Sequence, residues 1–118
     1  MSLTLSTRIV EGVTVVDCHG RIVFGDESMQ LRESVKKLLT ETKSIVINLE
    51  ACTYIDSGGL GTLVGLFTSA HGVGAEVKLA ALTHRVGELL QVTKLLTVFE
   101  VFDSVEEAAR SFQKGAVA

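Results

Sequence analysis

The 118 residues suffice for one domain around a single core and fall short of two ordinary ones. With 47% hydrophobic and 21% charged residues and no proline, the chain reads as globular, which excludes a disordered or low-complexity class. A net charge of −3 with dispersed Lys and Arg leaves no nucleic-acid footprint, and no apolar run reaches membrane-spanning length. A cytoplasmic location is therefore expected, with no direct nucleic-acid partner and no membrane insertion.

In chain order, Leu3, Leu5, Thr7 and Ile9 alternate up to Glu11-Gly12, and Val13 to Cys18 follows, a pattern that predicts a β-hairpin with a glycine turn. After Gly20 and the short run Arg21 to Gly25, Asp26 is expected to cap a helix from about Glu27 to Thr42, with Leu31, Val35, Leu38 and Leu39 on its buried face. Ser44 to Leu49 is a β-branched run suited to a parallel strand covered on both faces. Apolar positions then return at helical spacing as Leu60, Leu63, Val64, Phe67 and Ala70, up to a glycine stop at His71 to Gly74. Glu76 to Ala81 reads as a strand and Thr83 as the cap of a helix that buries Val86, Leu89, Leu90 and Thr93. A last strand is expected over Thr97 to Phe102. A final helix opens on the Ser104/Glu107 capping box, and Lys114 to Ala118 is expected to fray. The order ββαβαβαβα implies a mixed sheet with about four helices, an α/β fold in one domain over 1–118 with its ordered core at 3–113.

Cys18 and Cys52 have no CxxC partner or metal-ligand spacing and read as reduced thiols in or near the core. His19, His71 and His84 are scattered, without HExxH geometry, so neither a metal nor a cofactor is expected.

The most informative stretch is Asn48 to Phe67, where a strand passes into a helix through Asp56-Ser57. Either residue is suited to capping the helix. Gly58, Gly59, Gly61 and Gly65 crowd this helix although each interior glycine costs ~1 kcal/mol relative to alanine. Such glycines suit a first turn that another backbone approaches closely, or one that offers bare N–H groups to an anion, here a phosphate bound by the turn or carried by Ser57. If Gly59 and Gly61 have ordinary helical dihedrals, alanine at either is expected to stabilise the fold. A hydrolase elbow would need G-x-S-x-G, but Ile55 replaces the upstream glycine. A P-loop lysine is also missing, so no catalytic residue is assigned.

From these residues the chain resembles the STAS domain of the bacterial anti-sigma-factor antagonist type over nearly its whole length. The matching pieces are Gly20, Ile45-Val46-Ile47-Asn48-Leu49, Tyr54-Ile55-Asp56-Ser57-Gly58-Gly59-Leu60-Gly61, Val77-Lys78-Leu79-Ala80 and Val101-Phe102-Asp103-Ser104 with Glu107-Ala108. The resemblance implies a regulatory, non-enzymatic STAS-like domain whose Ser57 is phosphorylated by a serine kinase that doubles as an anti-sigma factor. It implies that the unmodified form holds that kinase and frees the sigma factor, with a serine phosphatase resetting the switch. By the same resemblance, Asp56, Ser57, Gly58, Gly59, Leu60 and Gly61 form the partner-binding stretch. Gly58 stands where a second hydroxyl residue is common, and Lys94 where a glycine often ends the third helix. The alternative within the same family is a module of a sensory complex or of a lipid-transport accessory protein, in which Ser57 is only a helix cap.

Overall fold

The computed structural model describes residues 3–117, with side chains through residue 113. Strands β1 (Leu3–Val10) and β2 (Val13–Ile22) form the expected antiparallel hairpin, closed at Val10 opposite Val13. Its turn residues Glu11 and Gly12 both have positive φ, 50° and 81°. Two left-handed residues in succession match the twist of the strands, and glycine takes the second place without Cβ strain.

Helix α1 (Asp26–Leu38) departs from expectation at both ends. Its N-cap is Gly25 at φ 106°, with no side-chain cap; Asp26 is the first helical residue, where its charge still favours the dipole. The helix ends at Leu38, short of Thr42, in a tightened last turn where the Thr40 N–H and hydroxyl both donate to the Lys37 carbonyl, at 3.1 and 2.7 Å. Strand β3 (Ser44–Ile55) runs beyond Leu49 and stays paired with β2 as far as Ile22 opposite Ile55. Glu50, Thr53 and Tyr54, whose polarity suggests a loop, are exposed residues of this strand.

Helix α2 (Ser57–Gly72), β4 (Glu76–Ala80) and α3 (His84–Val92) follow as expected. Thr83 caps α3 by accepting from the Val86 N–H at 3.3 Å. Thr93, expected on the buried face, is an exposed C-cap residue whose hydroxyl donates to the Leu89 carbonyl at 2.8 Å. The strand expected over Thr97 to Phe102 shrinks to β5 (Val101–Phe102), because Leu95–Thr97 winds into a 3₁₀ turn and Phe99 turns inward against Phe67. Helix α4 (Val105–Val117) carries the Ser104 cap, which accepts from the Glu107 N–H at 3.1 Å. It continues past Lys114, where a frayed tail was expected; the side chains of that tail lie outside the described residues.

The sheet order is β1-β2-β3-β4-β5, with β2 through β5 parallel. Each crossover steps the same way, so right-handed connections leave α1, α2 and α3 on one face. That face carries the larger core, with Val16, Ile45, Ile47, Leu63, Leu79 and Leu90 among its members. The opposite face is covered by α4 through Val13, Val15, Val46, Val105 and Ala108. Lys78 is buried there; its Nζ donates to Ser111 Oγ at 2.8 Å, pairs with Glu100 at 3.2 Å and lies 4.2 Å from the Phe112 ring centre. Because the strand order never reverses, no switch-point crevice opens at the sheet. What lies beyond the parallel strands is a surface.

Candidate functional site

That surface is built where the ends of β2 and β3 meet the start of α2. Asp56 alone separates strand from helix, in extended conformation at φ −100°, and its side chain caps α2 by accepting from the Gly59 N–H at 2.8 Å. Both carboxylate oxygens also accept from the Phe24 N–H at 3.1 Å, which pins the β2–α1 loop to the helix start. The Gly59 N–H bond above all, then those from Phe24 and Gly58, hold the Asp56 carboxyl below the usual carboxylate range against the opposing effect of desolvation.

Ser57 is the first residue of α2 and is exposed. The cap is Asp56, which corrects the reading of Ser57 as merely a cap and leaves its hydroxyl free of that duty. Two nearby hydroxyls are committed: Thr53 donates to the Gly20 carbonyl at 3.2 Å and Thr62 to the Gly58 carbonyl at 3.1 Å.

The glycines separate by what surrounds them. A Cβ on Gly59 would land on the Ile22 carbonyl oxygen, so the backbone that approaches this glycine is the chain's own β2. The expectation that alanine stabilises at this position is thereby corrected. A Cβ on Gly58 would stand 2.6 Å from Phe24 Cβ, which explains the missing second hydroxyl residue: Phe24 occupies its space. Gly61 and Gly65 have nothing within 4 Å. Of the six residues expected to meet a partner, Gly59 and Leu60 are buried, and the Asp56 carboxylate is engaged within the chain. Ser57 and Gly61 are exposed, with Gly58 half-buried beside them.

Two features were not singled out from sequence. Phe24, 81% exposed, stands beside Gly58 and Gly61 with Met29 and Arg32. On the other flank an open groove of about 770 Å³ runs from Ser57 and Tyr54 to Arg85, Glu88 and Val92 of α3. The sequence held a signal for the first, an aromatic residue just before a glycine, but not for what it packs beside. Nothing in it brings α3 to Tyr54.

No histidine lines this groove: His71 stacks on Phe67 at 4.5 Å between ring centres, and His84 pairs with Glu88 at 3.3 Å. Among the described residues, no group of three or more His, Cys, Asp or Glu gathers as metal ligands would. No described helix is long and apolar enough to cross a membrane. Cys18 and Cys52 are free and buried; burial pushes the Cys18 thiol up to about 12 and the Cys52 thiol upward, so both stay protonated at neutral pH.

The STAS domain family model matches residues 4–108. The chain belongs to the STAS domain family. It is 32% identical over 65 residues to the anti-sigma-B factor antagonist of Staphylococcus aureus, a match that covers 55% of this chain and 60% of that protein's length. An anti-sigma factor antagonist from Mycobacterium paratuberculosis has the same fold at a TM-score of 0.80, with 20% identity over 93% of each chain. The Bacillus cell fate determinant SpoIIAA in its phosphorylated form superposes with a TM-score of 0.70 and 18% identity over 94% of this chain and 99% of that one. A sulfate transporter family protein from Wolinella succinogenes shares the fold at 0.67, with 18% identity over 87% and 85%. This STAS domain thus presents an exposed serine at the start of α2 on a base locked to β2.

Proposed function

We propose that this STAS domain is an anti-sigma-factor antagonist of the cytoplasm, a binding module whose state is set at Ser57. Unmodified, it holds a serine kinase that also acts as an anti-sigma factor, and the sigma factor is released. The kinase transfers the γ-phosphoryl group of ATP to Ser57: the Oγ–P bond forms, the bond from phosphorus to the β,γ-bridging oxygen breaks, ADP leaves, and the hydroxyl proton passes to a base of the kinase. A phosphatase reverses the state by hydrolysis. The observation that carries this reading is the exposed Ser57 hydroxyl, free because Asp56 caps the helix.

A phosphate adds roughly −1.5 to −2 charges. At the positive end of α2 its own domain tolerates it, while an acidic or closely fitted partner does not. Little refolding is needed, because the base of the site is locked by Gly59 against Ile22. The test is incubation with the cognate kinase and ATP, followed by mapping of the product by mass spectrometry. Modification is expected at Ser57; modification chiefly at Thr53 or Thr62 would refute the reading.

The fold shared with a sulfate transporter family protein supports a second reading, a STAS module serving a transporter or sensory assembly. Under it, charge at residue 57 leaves partner affinity unchanged.

A further inference from the structure

The groove beside Ser57 contains one cation, Arg85, in the first turn of α3. Its guanidinium carbon lies 5.7 Å from the centre of the Tyr54 ring, and Tyr54 belongs to the same junction as Ser57. Arg85 is exposed and, among the described residues, has no carboxylate within ion-pair distance; its neighbour His84 takes Glu88 at 3.3 Å. The other charged groups lining the groove are the carboxylates of Asp56 and Glu88, and that of Asp56 is already held by the Phe24 and Gly59 N–H groups. An exposed stacking contact is weak, whereas a planar guanidinium matches two oxygens of a phosphate dianion.

We infer that Arg85 is the phosphate-holding residue of the modified state: when Ser57 carries a phosphate, the guanidinium leaves the Tyr54 ring and pairs with the phosphate oxygens across the groove. The inference rests on the reading of Ser57 as the modified residue. It extends that reading, because phosphorylation then ties α3 to the start of α2 and uncovers Tyr54. The partner meets a reshaped groove as well as an added charge.

The test uses the full chain with phosphoserine installed at residue 57 during translation, so that no kinase is needed. Tyr54 is the single tyrosine and the chain has no tryptophan, which makes intrinsic fluorescence a direct reporter of its ring. Emission should change on phosphorylation of the parent and stay constant in Arg85→Gln. The second ionisation of the phosphate, followed by phosphorus NMR, should rise by about half a pKa unit in Arg85→Gln and fall in Glu88→Gln. Arg85→Lys should restore part of the parent value. Arg110→Gln, on the distant α4, should leave the titration in place. Superposable titrations of the parent and Arg85→Gln proteins would overturn the inference, as would an equal shift in Arg110→Gln. A kinase that fails to modify Ser57 would instead count against the phosphorylation reading and leave this measurement standing.

Discussion

The two flanks of Ser57 are built on opposite principles. Toward β2 the helix start is a packed seam: Gly59 lies against the Ile22 carbonyl, Gly58 against Phe24, and Asp56 bonds both sides. Toward α3 it is open, with Arg85, which has no carboxylate partner among the described residues, and exposed Tyr54 and Val92 around a groove. The contrast leaves Ser57 on a base fixed to β2 while its α3 side stays open. The motif's glycines lie away from the groove, and only the structure sorts Gly58 and Gly59, which close the seam, from Gly61, which leaves the surface bare beside Phe24.

The largest effect should come from closing the seam wrongly. Gly59→Ala forces backbone against backbone and should cost about 3 kcal/mol, read from urea unfolding. A stabilised variant would mean that helix and strand separate easily. Asp56→Ala removes the cap and the tie to Phe24 and should cost ~1–2 kcal/mol, whereas Asp56→Asn keeps an acceptor and should cost less at pH 7. Because the folded-state pKa of Asp56 is lowered, its contribution is present above the unfolded value and is lost as pH falls through the folded one. Asp56→Asn should therefore flatten the stability loss below about pH 4, and an unchanged acid profile would contradict this account. Asp17 acts in the same direction: desolvation raises its pKa, but the bonds from Arg8 and Asn48 outweigh it, so the double variant Asp56→Asn, Asp17→Asn should flatten the profile further.

Smaller effects belong to exposed positions outside the seam. Gly61→Ala should stabilise by ~0.4–1 kcal/mol, since its Cβ meets nothing, yet weaken the unphosphorylated-state partner if that partner lies over the turn. Stabilisation with unchanged binding would move the contact surface elsewhere. Lys94, at φ 64°, holds a left-handed position that glycine would take without strain, so Lys94→Gly should raise thermal stability by up to ~1 kcal/mol and leave binding untouched.

Much of this was legible in the sequence, because apolar spacing reports burial. The hairpin, α2, β4 and the Thr83 cap follow from it directly. The failures have common physical roots. β3 hid its outer half behind polar residues on an exposed stretch, and the strand expected from Thr97 is shortened to Val101–Phe102 by a 3₁₀ turn ahead of the buried Phe99. Asp26 and Asp56 stand at equivalent strand-to-helix steps with the same capping chemistry, but only Asp56 caps, because Gly25 starts α1 instead. Residues that meet only through the fold, such as Phe24 with Gly58 or Arg85 with Tyr54, leave no periodic trace.

The most direct test of the central claim is the affinity of the captured kinase partner for three forms of the full chain: unmodified, Ser57→Ala and phosphorylated at Ser57. The account predicts equal affinity for the first two and a loss of roughly tenfold or more for the third, because charge rather than the hydroxyl controls the contact. Equal affinity for all three forms would contradict it.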